Sequence, residues 1–152
     1  MGRRIGSVII RTQAGHDIGN QGESRKDMTQ LSPAECLADI QKTHTRVQEL
    51  TGYDMTLFRP PYGDYNDKVI SDAKECGYFS VLWDVDSYDW KDYGVDAILK
   101  NVLESEQLGK GSIIRCHSGA RYTADALDAL LSGLEKKGYE IVPASRLIGG
   151  AQ

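Results

Sequence analysis

The chain has 152 residues, 40% of them hydrophobic and 26% charged, a balance typical of one globular domain and too apolar for wholesale disorder. Its net charge of −4 gives no general attraction for phosphate backbones, so nucleic acid is not an expected partner. No apolar run reaches the roughly eighteen residues of a membrane span, and the opening stretch through Arg11 lacks the apolar core and cleavage site of a secretory signal.

Helical and strand-like stretches alternate along the chain. Thr29 to Leu50 reads as a helix, with Ser32-Pro33-Ala34-Glu35 supplying an N-cap, a proline at the first helical position and an acidic first turn. Cys36, Leu37, Ile40, Val47 and Leu50 form its apolar face, and Gly52 stops it. A strand is expected at Met55 to Phe58, closed by Arg-Pro-Pro-Tyr-Gly. Asn66 then caps a second helix through Val69, Ile70 and Ala73 to Gly77. Phe79 to Trp83 reads as a buried strand ending in a cluster of aspartates. A third helix is expected over Val95 to Glu106, a strand over Ser112 to Cys116, and a fourth helix over Thr123 to Lys137. Tyr139 to Val142 reads as a last strand. Strands and helices taking turns over short connections predict an α/β fold with parallel strands.

Chemistry in such folds gathers past the carboxyl ends of the strands. Four of those ends carry polar groups: Asn20 with Gln21, then Arg59, then Asp84, Asp86, Asp89 and Trp90, and finally His117. Each has a plain structural alternative. A lone histidine is more often structural than catalytic, Arg59 could cap a helix or pair with a carboxylate, and the aspartates could form an acidic loop. Tyr62 and Trp90 could be rim or core aromatics. Their coincidence at strand ends points to one convergent polar site. Cys36, Cys76 and Cys116 are too far apart for a zinc ribbon or redox pair and read as three buried free thiols. With only His16, His44 and His117 present, an imidazole-based metal site would need nearly all of them.

The order of these pieces resembles the polysaccharide deacetylases, the NodB-homology group also called carbohydrate esterase family four. Gly15-His16-Asp17-Ile18-Gly19-Asn20, with Asp27-Met28 and Leu31-Ser32, is similar to its second motif region. Phe58-Arg59-Pro60-Pro61-Tyr62-Gly63 matches the third motif, and Asp86-Ser87-Tyr88-Asp89-Trp90 the fourth. Ile113-Ile114-Arg115-Cys116-His117 stands where the last motif ends. The likeness runs from about Gly15 to about Leu147.

The resemblance implies a distorted (β/α) barrel, TIM-barrel-like, and a metal-dependent hydrolase removing N- or O-acetyl groups from chitin, peptidoglycan or xylan. It makes His117 the general acid, Asp89 its partner and Arg59 the residue orienting a catalytic base. Tyr62 would offer its backbone N–H to the oxyanion, Trp90 would wall the sugar groove, and Asp86 and Arg115 would border the substrate. Three departures stand beside it. The family's Asp-Asp strand, which supplies the base and one metal ligand, has no counterpart, and the stretch from Val8 to Ala14 resembles the end of the helix before the second motif. Residues 1–152 are therefore expected to be a single deacetylase-like domain, an incomplete barrel lacking the first strand–helix units. The family's two metal histidines, usually binding zinc, are replaced by Gln21 and Arg25, so no metal ligand is assigned. Arg115 replaces the leucine that lines the acetyl pocket.

Three functions follow as expectations: a deacetylase completed from elsewhere, a glycan-binding or regulatory pseudoenzyme, and a structural remnant. The Gln21 and Arg25 substitutions favour the second. An open sheet edge predicts self-association or a partner chain that completes the barrel. The family acts mostly at the cell envelope, whereas this chain carries no recognisable export signal, so its compartment is left open.

Overall fold

The computed structural model describes residues 10–149, which divide into two compact units, one reaching to Leu82 and the other spanning Trp83–Leu147. In the first, a helical turn at residues 10–13 leads to β1 (Gly19–Asn20), α1 (Pro33–Thr51), β2 (Leu57–Phe58), α2 (Asp67–Glu75) and β3 (Phe79–Ser80). Its sheet is parallel in the order β1-β2-β3, with Gly19 opposite Leu57 and Phe58 opposite Ser80. The second unit holds β4 (Val85–Asp86), α3 (Val95–Leu103), β5 (Ile114–Arg115) and α4 (Thr123–Lys136). There β4 and β5 pair in parallel, Asp86 opposite Arg115. A short helix, α5 (Ala144–Gly149), closes the described chain. The α/β class with parallel strands is as expected.

The first helix shows how local sequence sets a boundary. Ser32 accepts the Glu35 N–H at 3.3 Å while Glu35 accepts the Ser32 N–H at 2.8 Å, a complete capping box before Pro33. Proline disfavours helical backbone at the residue before it, and Ser32 is extended at ψ 160°. The helix therefore starts at Pro33 rather than Thr29, and Met28–Gln30 forms a separate 3-10 turn capped by Asp27. Gly52, at φ 70°, ends the helix in the left-handed conformation that glycine tolerates best. Ile40 and Cys36 pack from α1 against Phe58, Met28, Val69 and Tyr78 in the unit's core.

Four other readings are corrected. The run from Phe79 to Trp83 is not a buried strand: only Phe79–Ser80 joins the ladder, at the sheet's edge, and Phe79 is 55% exposed. The aspartate cluster after it is not simply a loop, because Val85–Asp86 is itself a strand. Tyr139 to Val142 forms no strand. The Tyr139 N–H turns back to Leu134 O at 3.2 Å, and the segment instead borders a largely apolar cavity of about 560 Å³ with Ile113, Ile114 and Leu147. Of the three thiols only Cys36 is buried, Cys76 and Cys116 being half-buried, and burial raises the pKa of all three. The core of the second unit is Val85, Val102, Leu130 and Leu134. Gly133 lets α4 approach α3 closely: a Cβ there would stand 2.7 Å from Leu103 Cδ1.

Candidate functional site

The second unit arranges its polar residues around one buried carboxylate. Tyr88 adopts left-handed angles (φ 50°) and leads β4 into the short turn Asp89–Lys91. Asp86 braces the bend by accepting the Tyr88 N–H at 3.0 Å. Asp89 is 1% exposed. One of its oxygens lies 2.7 Å from His117 Nδ1, and the other accepts both the His117 N–H and the Thr123 hydroxyl at 2.6 Å. Burial pushes the Asp89 carboxyl up, but these donors outweigh it and hold it below the ordinary carboxylate value. An ionised carboxylate only accepts, which assigns a proton to Nδ1 and leaves Nε2 outside this hydrogen bond. The His117 side chain is 42% exposed.

The turn is tied down from behind. Buried Ser87 accepts the Asp89 N–H on its hydroxyl at 3.3 Å, and its carbonyl takes the Asn101 amide from α3 at 3.0 Å. Arg115, at the end of β5, forms an ion pair with Asp86 and lies 3.9 Å over the Trp83 ring. Its Nε is buried without a partner. Trp90 is 53% exposed.

In the first unit, Arg59 leaves β2 with its backbone N–H donated to Asn20 O at 2.9 Å. Tyr62 sits in the turn Pro61–Gly63 at φ 62° with an exposed side chain. Gln21 is half-buried, and Arg25, at φ 55°, is exposed. Asn20, expected among the site residues, is fully buried in a structural network. Its amide donates to Ile40 O at 2.9 Å and to the Tyr78 hydroxyl at 3.0 Å. The Tyr78 hydroxyl in turn lies 2.5 Å from His44 Nδ1, and His44 Nε2 faces Asp54 at 3.1 Å.

The site residues thus fall in two groups, Gln21, Arg25, Arg59 and Tyr62 in one unit and Asp86, Asp89, Trp90, Arg115 and His117 in the other. Direct contact joins Asp89 to His117 and Asp86 to Arg115. Sequence reasoning missed Thr123 as the third member around Asp89. Its signal was a threonine opening a helix, read only as a boundary.

Residues 8–81 match the family model described as polysaccharide deacetylase. Over 141 residues the chain is 37% identical to peptidoglycan-N-acetylmuramic acid deacetylase PdaC of Bacillus subtilis (strain 168), covering 93% of this chain and 29% of that protein. Peptidoglycan-N-acetylglucosamine deacetylase PgdA of Listeria monocytogenes is 35% identical over 144 residues, covering 95% and 30%. The chain therefore spans less than a third of the length of these curated relatives. The solved structure of PdaC superposes with a TM-score of 0.81 at 35% identity, covering 97% of this chain and 71% of that one. A carbohydrate esterase family four pseudoenzyme from Bacillus anthracis gives 0.87 at 26% identity, covering 96% and 51%. The chain belongs to the polysaccharide deacetylase family.

That family generally depends on a divalent metal, and the donor set here does not fit one. A guanidinium at Arg25 repels a dication, and the neutral Gln21 amide is a poor zinc ligand. Among the described residues, no three His, Cys, Asp or Glu side chains cluster as a metal site. No helix among those residues is long and apolar enough to cross a membrane.

Proposed function

We propose that this chain is a pseudoenzyme of its family, recognising acetylated cell-wall glycan, peptidoglycan foremost, without metal-dependent turnover of its own. The observation carrying this reading is an ordered Asp89–His117–Thr123 constellation in the second unit of a chain whose Gln21 and Arg25, by the resemblance of their motif, replace the family's metal histidines. A fixed guanidinium supplies positive charge, but it does not lower the pKa of a bound water as zinc does. Within the second unit, exposed Trp90 offers a ring face to a sugar, and His117 offers a polar group to its acetamido substituent. The peptidoglycan-directed relatives and the family pseudoenzyme support this reading. A glycan ligand of that kind places the protein at the cell envelope.

The geometry at His117 favours one second reading, a deacetylase whose metal half comes from another polypeptide. Asp89 would then keep the imidazole oriented while Nε2–H protonates the departing amine. One experiment separates the two. Binding to purified peptidoglycan is measured beside acetate release from peptidoglycan and acetylated chito-oligomers, with added zinc or cobalt and a His117→Ala control. Binding without release is expected. Release that disappears in the control overturns the pseudoenzyme reading, and absence of binding overturns glycan recognition.

We also infer that the chain associates with itself or with a chain completing its barrel. Among the described residues β5 pairs on one side only, and Ile113 and Ile114 line a largely apolar cavity together with residues 139–142, which pair with no strand.

A further inference from the structure

Three of the chain's large exposed hydrophobic residues fall within six positions: Tyr88 at 44%, Trp90 at 53% and Tyr93 at 76%. Two non-glycine residues in the same stretch, Tyr88 and Asp92, hold left-handed backbone at φ 50° and 55°. Such angles are unfavourable for side chains with a Cβ, and persist where the surroundings enforce them. The enforcement is visible here, because Asp89, between Tyr88 and Trp90, is locked inward by His117 and Thr123. Its neighbours are thereby presented outward. Lys91 Nζ lies 4.6 Å from the Tyr88 ring centroid and 5.4 Å from that of Trp90, and forms no ion pair with a carboxylate among the described residues.

The chemistry of this patch is specific. Tyrosine and tryptophan pair an apolar ring face with a polar tip, matching the C–H face and hydroxyl rim of a pyranose. An ammonium already seated over two rings, with no ion-paired carboxylate among the described residues, provides a counter-charge for an anionic group. Two of the nearby acids are engaged elsewhere: Asp86 is paired with Arg115, and Asp89 is enclosed by its donors. Asp92 is the exposed exception.

We propose that the turn from Tyr88 to Tyr93 is a sugar-binding platform selecting glycans that carry a carboxylate. Tyr88 and Tyr93 extend the stacking surface at Trp90 along the sugar chain, and Lys91 takes the carboxylate. The proposal rests on the glycan-recognition reading and names the ligand class of that site.

The test compares two oligosaccharides of equal length by calorimetry: one from peptidoglycan, whose muramyl sugars carry a lactyl carboxylate, and a neutral chito-oligomer. Wild type is expected to prefer the acidic oligomer by about tenfold at low salt, with the preference shrinking at high salt. Lys91→Gln should abolish the preference while retaining the neutral oligomer, and Lys91→Arg should keep it. Tyr93→Ala, at the most exposed ring, should weaken both oligomers about fivefold with unchanged circular dichroism. Wild-type binding that Lys91→Gln and Tyr93→Ala leave unaltered overturns the platform while glycan recognition stands. Binding of neither oligomer by wild type overturns both.

Discussion

Around Asp89, three donors converge on a carboxylate whose pKa burial alone would raise, and the balance has a pH signature. The folded-state pKa is depressed, so this group's stabilisation is present above the unfolded value and is lost as pH falls through the folded one. Urea midpoints should therefore drop below about pH 4, and Asp89→Asn should flatten that acid limb. The same substitution should destabilise the protein at neutral pH by about 1–3 kcal/mol, since an amide cannot accept all three donors. Equal acid limbs in the two proteins would show that Asp89 is not held ionised by its partners. Asn20 makes the complementary point at this scale. It stands in a family motif, yet its amide works as a core strut linking β1 to α1 and to Tyr78.

At the scale of elements, the capping box of α1 is a short and complete local device, and Ser32→Ala should cost about 1 kcal/mol, read from denaturant unfolding. An unchanged midpoint would mean that packing through Cys36 and Ile40 alone fixes the helix start. The same helix shows why much of the fold was legible in the sequence. Its cap, proline, apolar spacing and terminal glycine all act within a few residues, so they can be read one by one. The strands were harder. Each ladder involves two-residue strands, and whether Phe79 or Tyr139 pairs depends on a neighbour remote in sequence. The site divides in the same way. Asp89 and His117 were legible through their motifs, whereas Thr123 reaches Asp89 from 34 residues away, and the pairing of Arg115 with Asp86 needs β4 beside β5.

For the molecule as a whole, the one-sided β5 and the apolar cavity beside it carry the expectation of association. Sedimentation over a concentration series should show a species heavier than the monomer, and an apolar dye should bind less as that species forms. A monodisperse monomer that ignores the dye would remove the idea. The parallel ladders have a further consequence, in time rather than in energy. Among the described residues every pairing, β1 with β2, β2 with β3 and β4 with β5, joins strands separated by a whole helix. None can begin as a tight hairpin, so each must wait for a long loop to close before its hydrogen bonds repay the lost chain entropy. Folding should thus be slow beside that of a helical bundle of equal length, with α1, α3 and α4 flickering into shape well before any strand finds its neighbour.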